Sequence, residues 1–358
     1  MALLPESIPS RRLPIAAAVG RVLAETLTAR GAVPGQHVAA WDGWALAAAD
    51  TQGCGPYSPV PLPSDTQWVE SGCPLPSGAD AVLPEPAVLQ GPLPQIVESI
   101  APGEGVRQPG EDVNEGFVIC RVGERLRATC LPALHACGIE SVAVHEPRVA
   151  IICCGDELVA DPARDGVGPF LAALLVREGS AAPTRSLVPD NAEAIASAIR
   201  QAADAADLVL LVGGTGTGRG DKVAEALAGA GRLVVQGLGS RPGASAGFGA
   251  VGKAAIVLVP GRWDDAYAAW LLLVRPAVRR LTGMRPPERL RARLTRKVSS
   301  AVGLLDMVPV RWTGPGLVEP LAVGALPPGV MAAADGVLLV PPAAEGYSAG
   351  ADVELEPL

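Results

Sequence analysis

Aromatic residues make up only 3% of the 358 residues. The cores must therefore be built mainly from Ala, Val and Leu, which the 49% hydrophobic content and a mean hydropathy of +0.31 permit. Charge is also scarce, with 18% charged residues, a formal net charge of -8 and no Lys/Arg-rich run. That excludes a general nucleic-acid or anionic-membrane surface and confines any anion to a local site. No apolar run approaches the ~18 residues of a membrane span. The longest is "AYAAWLLLV" at 266–274, and the opening "MALLPESIPSRRLP" lacks an apolar signal core, so a cytoplasmic location is expected. Seven cysteines form no C-x-x-C pair, and His37, His135 and His145 do not cluster with them. The thiols read as buried small hydrophobes of a reducing compartment, and no metal role falls to the histidines.

What is present comes in blocks, and the length suggests two to four domains of roughly 100–200 residues. Residues 13–30, "LPIAAAVGRVLAETLTAR", carry apolar side chains at helical spacing and predict a helix stopped by "GAVPG". From 51 to 110, Pro, Gly and short apolar pieces predict a small β-rich domain, and "GERLRATCLPALHACGIE" predicts a helix within 116–140. Between 147 and 284 strand-like and helix-like segments alternate, from "RVAIICCG" and "GPFLAALLVREG" to "LVLLVGG", "AAIVLVPG" and a long closing helix kinked at Pro276. Such alternation predicts a parallel sheet covered by helices, with Asp190 and Glu193 capping the second helix. Short strands and turns after 287 predict a compact β domain. The expected division is 1–44 with 103–146, a discontinuous mixed helical and linker domain; 45–102, an inserted β-rich domain; 147–284, an α/β domain; and 285–358, a barrel-like β domain.

In open α/β sheets ligands sit beyond the carboxyl ends of the strands. "GGTGTGRGD" (213–221) lies there, directly after an apolar strand. Its glycines let backbone approach a ligand and turn N–H groups toward an anion. Thr215 and Thr217 offer hydroxyls, and Asp221 a ligand for a cation that offsets phosphate charge. The alternative is a plain flexible turn, because the glycines do not fall at G-x-G-x-x-G spacing and form no Walker A loop. "GFGAVGKA" (247–254) fits G-x-x-x-x-G-K but ends in Ala254 and precedes a strand, so the match is coincidental. "CCGDEL" (153–158) puts Asp156 and Glu157 at the same end of the sheet, either as caps or, with Asp221, as a magnesium and phosphate corner. "AAWDGWA" (39–45) sets Asp42 between Trp41 and Trp44, and "GVRQPGEDV" (105–113) offers Arg107 and Asp112. By composition alone both are turns.

In their order these stretches resemble one family, the molybdopterin molybdenumtransferases, which include the MoeA proteins and the gephyrin E domain. "VPGQHVAAWDGWAL" resembles the family's opening, where Asp42 stands in a Met-Asp-Gly-Tyr-Ala core whose Met and Tyr are Trp41 and Trp44 here. "SGCPLPSGADAVLPEPAV" is similar to Thr-Gly-Ala-Pro-Val-Pro-x-Gly-Ala-Asp-Ala-Val, with Ser71 at the threonine, and "VRQPGEDV" keeps Arg107 and Asp112. "VAIICCGDEL" is similar to a Ser-Thr-Gly-Asp-Glu-Leu turn, and "VGGTGTGRGD" to Gly-Gly-Val-Ser-x-Gly followed by an Asp, here Asp221. The departures are as specific. "GVGPF" (166–170) replaces Tyr-Asp-Ser/Thr-Asn, Gly216 replaces the loop serine, and the lysines around Lys-Pro-Gly-Lys-Pro become Arg241 and Ala244, with Gly237 at an upstream one. "PGRWDD" keeps Pro260 and Gly261 of Pro-Gly-Asn-Pro and adds Arg262, and "GALPPGVMAAADG" lacks a serine cluster.

The resemblance implies a multidomain α/β fold whose central parallel-sheet domain is MogA/MoaB-like. It also implies a homodimer that pairs this domain of one subunit with the N-terminal parts of the other. The reaction implied is insertion of molybdate into adenylated molybdopterin with Mg2+-dependent release of AMP. Asp42, Asp112, Asp156, Glu157 and Asp221 would be catalytic, Asp156 and Asp221 holding magnesium. Ser71, Arg107, Gly213, Gly214, Thr215, Gly216, Thr217, Gly218, Arg241, Pro242, Gly243, Pro260, Gly261 and Arg262 would hold the pterin substrate. Because several groups expected around molybdate are replaced, a second reading stands beside the first: a paralogue that binds molybdopterin or finished cofactor and delivers it to a client molybdoenzyme. A molybdopterin adenylyltransferase is the other expected partner, with neither nucleic acid nor membrane involved.

Overall fold

The computed structural model describes residues 4–216, 218, 220–286 and 289–358. Its centre is a six-stranded sheet of β1 (Val149–Cys154), β2 (Thr184–Val188), β3 (Leu208–Val212), β4 (Arg232–Gln236), β5 (Gly247–Val251) and β6 (Ala254–Val259). The spatial order is β2-β1-β3-β6-β5-β4. β1, β3 and β6 are buried along their whole lengths, as continuous apolar strands must be when both faces are covered. Alternate residues then feed two cores. Ile151, Cys153, Leu208 and Leu210 pack with helix α2 (Val167–Arg177) and the closing helix, while Ile152, Val209 and Leu211 pack with α3 (Ala192–Ala205) and α4 (Val223–Ala230). A short helix, α1 (Asp156–Ala160), follows β1 directly.

The first four strands of that order are parallel, as the alternation predicts, but β5 and β4 join antiparallel. The reason is local: Gly252 (φ +57°) closes a tight turn between β5 and β6, far too short for a crossover. "GFGAVGKA" is therefore a hairpin. The closing helix runs as α5 (Trp263–Ala269), a π-helical turn at Trp270–Val274 and α6 (Arg275–Thr282), ending at left-handed Gly283 (φ +62°). The expected disturbance at Pro276 is thus met by a widened turn before it, which accommodates the missing N–H.

The helix expected over 13–30 is reduced to one turn, Ile15–Ala18, followed by strands Val22–Leu23 and Leu27–Thr28. Left-handed Gly20 (φ +81°) breaks the helix, and Val22–Leu23 pairs with Ser141–His145 instead. Ala18, Leu23 and Leu27 bury around Leu126, Leu134 and Val142, so tertiary pairing overrides the local pattern. Arg11–Pro14 also pairs with Ser141–His145, bringing the two ends of the N-terminal half together. Small sheets between them include Gly43–Leu46 with Gln67–Val69 and Ala81–Pro84. The helix within 116–140 is Leu131–Ala136.

At the C-terminal end Leu305–Gly314 pairs with both Leu317–Pro320 and Gly336–Val340, while Leu290–Leu294 and Asp352–Pro357 complete a closed five-strand ring. Val308, Val310, Val318, Leu338 and Leu355 fill it. A two-residue strand of the central unit, Ser240–Arg241, adds parallel to Leu305–Gly314 and zips the sheet unit onto the barrel.

Candidate active site

The carboxyl ends of β1, β3 and β6 meet at a cleft of about 500 Å³, whose lining includes Glu157, Arg164, Asp190, Gly213, Gly214, Asp221, Gly261 and Arg262. Gly213 (φ +87°) donates its N–H to the Val259 carbonyl at 3.0 Å, and a Cβ on it would stand 2.7 Å from the Cys154 carbonyl oxygen. A Cβ on Gly261 would stand 3.4 Å from the Gly213 Cα. Three strand ends therefore converge so tightly that position 213 requires glycine. Just beyond, no acceptor among the described residues engages the N–H groups of Gly214, Thr215 or Gly216. Of the three, Gly214 lines the cleft, Thr215 is buried and Gly216 lies against the Asp221 carboxylate. Two expected ligand groups are structural ties instead. The Gly218 N–H is donated to Asp221 Oδ2 at 2.5 Å, and the buried Thr215 hydroxyl meets Ser245 Oγ at 3.2 Å. Thr217 lies outside the described residues.

Glu157, Asp190 and Asp221 bring three carboxylates to the cleft. Burial raises the Asp190 pKa above the usual carboxylate value; a backbone hydrogen bond at Asp156 opposes the rise, and the charges of Asp156, Glu157 and Asp221 add to it. Asp156 itself is not among the lining residues. Its carboxylate accepts the Asp190 N–H at 3.1 Å and ties the start of α1 to the turn after β2. The sequence alone puts Asp156 either at a cap or in the site, and Asp190 at a helix cap; in the structure Asp190 lines the cleft and Asp156 holds its backbone. The cap is Asn191, whose side chain accepts the Ala194 N–H at 3.0 Å, and Asp190 faces the cleft. Among the described residues no three His, Cys, Asp or Glu side chains converge to hold a metal ion by themselves.

Sequence reasoning also missed Asp165 and Arg164, both on the cleft. Asp165 is buried, accepts the Gly168 N–H at 2.8 Å and pairs with Arg185 Nη2 at 2.7 Å. It supplies an acid immediately before α2, where 166–170 alone suggested that none remained. The signal was an Asp three residues before a helix's first free N–H groups. Arg262 lines the cleft but also wraps its own helix start, with Nε and Nη2 at 3.3 and 3.1 Å from the Asp264 carboxylate. The adjacent thiols are inert: burial pushes Cys154 up to about 12.

Several other expected site residues are placed elsewhere. Arg241 Nε and Nη2 reach the fully buried Asp306 carboxylate at 2.8 and 2.7 Å, and Ser300 Oγ donates to it at 2.7 Å. Burial pushes Asp306 up, but these hydrogen bonds outweigh it and hold the carboxyl below its usual range. The guanidinium fork therefore ties the barrel to the sheet unit. After Pro242, Gly243 (φ +98°) rests against Ala268 and gives its N–H to Asp265 at 2.7 Å, and Pro260 is buried at the end of β6. Asp42, Ser71, Arg107 and Asp112 form a separate group around the pairing of Val38–Ala39 with Val106–Arg107. Asp42 Oδ1 accepts the Ser71 N–H at 2.7 Å, and Arg107 pairs with Asp112. None of the four lines the cleft of its own chain.

Three family models cover nearly all of the sequence: the MoeA N-terminal region (domain I and II) at residues 2–138, a probable molybdopterin binding domain at 150–280, and the MoeA C-terminal region (domain IV) at 291–358. Two MoeA structures from Pyrococcus horikoshii match 99% and 100% of this chain and 95% and 97% of theirs, at 27% and 25% identity, with TM-scores of 0.74 and 0.70. The chain belongs to the MoeA family. Among MoeA-like relatives, a putative molybdopterin biosynthesis protein of Methanocaldococcus jannaschii is 27% identical, covering 98% of this chain and 93% of its own length. A molybdopterin molybdenumtransferase of Haemophilus influenzae is 28% identical, covering 85% of this chain and 81% of its own. Among the described residues no helix is long and apolar enough to cross a membrane.

Proposed function

We propose that the chain acts in molybdenum cofactor biosynthesis, inserting molybdate into adenylated molybdopterin with release of AMP. One observation carries the reading: Gly213 and Gly214, the latter with an N–H that no described residue accepts, line a single cleft at the strand ends together with Arg164, Glu157, Asp190 and Asp221. Amides hold phosphate oxygens there without reorganising, and Arg164 adds positive charge. Glu157, whose carboxylate accepts no hydrogen bond among the described residues, takes a proton from the water that attacks the adenylate phosphorus; the phosphoanhydride bond breaks, the molybdopterin phosphate leaves and AMP carries the new oxygen.

The donor set fits Mg2+, which is commonly held by one or two carboxylates together with substrate phosphates. Asp190 lines the cleft with Glu157 and Asp221; burial first, and then the charges of Asp156, Glu157 and Asp221, raise its pKa. Asp190 and Asp221 would hold the ion, which would neutralise the diphosphate. The proposal includes a homodimer, because Asp42, Ser71, Arg107 and Asp112 lie off the cleft of their own chain and a second subunit would bring them to it. It also includes the cytoplasm, a compartment that keeps the seven free cysteines reduced.

The purified chain with molybdate, magnesium and adenylated molybdopterin should release AMP and yield cofactor that activates an apo-molybdoenzyme. AMP release no greater than that of an Asp221→Asn variant would refute the enzymatic reading, and tight binding of finished cofactor without turnover would establish a carrier instead.

A further inference from the structure

An apolar pocket of about 350 Å³ lies beside the cleft, lined by Phe170, Leu174, Trp263, Tyr267, Leu326 and Met331, among others. In a chain with three Phe, three Tyr and six Trp, one of each meets here. The Phe170 ring centroid is 5.2 Å from that of Trp263 and 6.0 Å from that of Tyr267. Trp263 lines this pocket and packs against Gly166, a residue of the cleft wall. It follows the cleft residue Arg262, and its indole Cζ2 would lie 2.6 Å from a Cβ at the cleft residue Gly166. Tyr267 is 7% exposed, and its hydroxyl has no hydrogen-bond partner among the described residues. A phenol oxygen that keeps accessible surface in a pocket and has no protein partner is free to bond a polar atom of a ligand. The volume lies within the range of about 300–1,000 Å³ usual for small-molecule sites, which are mainly apolar with a few placed polar groups.

We propose that this pocket holds a planar, nitrogen-bearing fused ring of the substrate, stacked on the Trp263 indole with the Tyr267 hydroxyl bonded to a ring heteroatom. The diphosphate then lies at Gly214 and Arg164 of the cleft, so the inference rests on the phosphate reading of the cleft and adds ring recognition to it. Phe170 and Trp263 fall in "GVGPF" and "PGRWDD", stretches where this chain departs from the motifs it resembles. The pocket is accordingly a feature of these particular residues. The pterin and the adenine share the required chemistry, and the experiment distinguishes them.

The full chain, its Trp263→Ala variant and its Tyr267→Phe variant are titrated by calorimetry with pyrophosphate, AMP and neopterin in separate runs with magnesium. Trp263 is nearly half exposed and Tyr267→Phe keeps the ring, so both variants should fold. Both should bind pyrophosphate like the wild type. Trp263→Ala should bind one ring ligand roughly 5- to 100-fold more weakly, the range for stacking on one aromatic side chain. Tyr267→Phe should weaken the same ligand by about 2- to 10-fold. A loss confined to AMP assigns adenine to the pocket, and a loss confined to neopterin assigns the pterin. Wild-type affinity for both ring ligands in both variants, or pyrophosphate binding without any ring binding, overturns the inference and leaves the phosphate reading standing. No pyrophosphate binding by the wild type overturns both.

Discussion

Asp306→Asn should loosen the hold of the barrel on the sheet unit while leaving anion affinity nearly intact. Bonds of 2.8 and 2.7 Å from Arg241 and one of 2.7 Å from Ser300 converge on a carboxylate with no exposed surface. Hydrogen bonds to charged groups contribute about 1.5–3 kcal/mol each, and breaking a fully buried pair costs about 3–5 kcal/mol. The Arg241 side chain is 47% exposed, however, so water re-solvates it once released, and the new amide still accepts from Ser300. The net loss is therefore about 2 kcal/mol, or about 4–8 °C in melting temperature. Arg241→Met should cost about 3 kcal/mol, because it strands a buried charge, and the double variant should fall well short of the sum. Thermal melts measure the coupling, and pyrophosphate calorimetry measures the site. If Arg241→Met abolishes pyrophosphate binding, Asp306→Asn preserves it, and the two melting shifts add, then Arg241 is a ligand and the clamp argument is wrong.

Gly213→Ala places a side chain at φ +87° with its Cβ 2.7 Å from the Cys154 carbonyl oxygen. Handedness alone costs about 1–2 kcal/mol, so melting should fall and pyrophosphate binding vanish, whereas Gly229→Ala, with open space around it, should change neither adversely. Asp190 has a folded pKa raised above its unfolded value, so its penalty is absent below the unfolded pKa and complete above the folded one. Asp190→Asn should therefore melt higher than wild type at pH 7 without divalent ions, match it near pH 3, and lose the magnesium-dependent part of pyrophosphate binding; a lower melt at pH 7 would contradict the charge argument. Asp306 has the opposite sign: its folded pKa is depressed, so its stabilisation is present above the unfolded value of about 4 and is lost as pH falls through the folded value. A pH series of melts should show that acid loss in the wild type and a flatter profile in Asp306→Asn.

The central sheet was legible because β1, β3 and β6 are apolar throughout and "GGTGTGRGD" stops one of them abruptly. The edge pair β4 and β5 was not, since its exposed alternate residues carry little apolar signal and only the Gly252 turn fixes their direction. Residues 13–30 misled because the spacing of Ala18, Val22 and Leu23 suits a helix as well as a core reached by short strands. Within the site, the loop glycines were readable from composition. The place of Asp190 on the cleft, with Asp156 holding its backbone, was not, because it depends on a hydrogen bond between two turns 34 residues apart. Arg241 looked free for the same reason: its partner Asp306 lies in the barrel, and nothing local to "SRPGAS" announces it.

The widened turn at Trp270–Val274 also sets the rotational phase of α6. Each residue advances an α-helix by about 100°, so one residue more or fewer before Arg275 swings that side chain to another face. As built, Arg275 gives Nη2 to Glu356 at 2.6 Å and Nη1 to the Pro357 carbonyl at 3.1 Å. The count of residues in one helix thereby decides whether that helix is tied to the last barrel strand, and a single deletion there would break the tie while the strand pairings of Asp352–Pro357 persist.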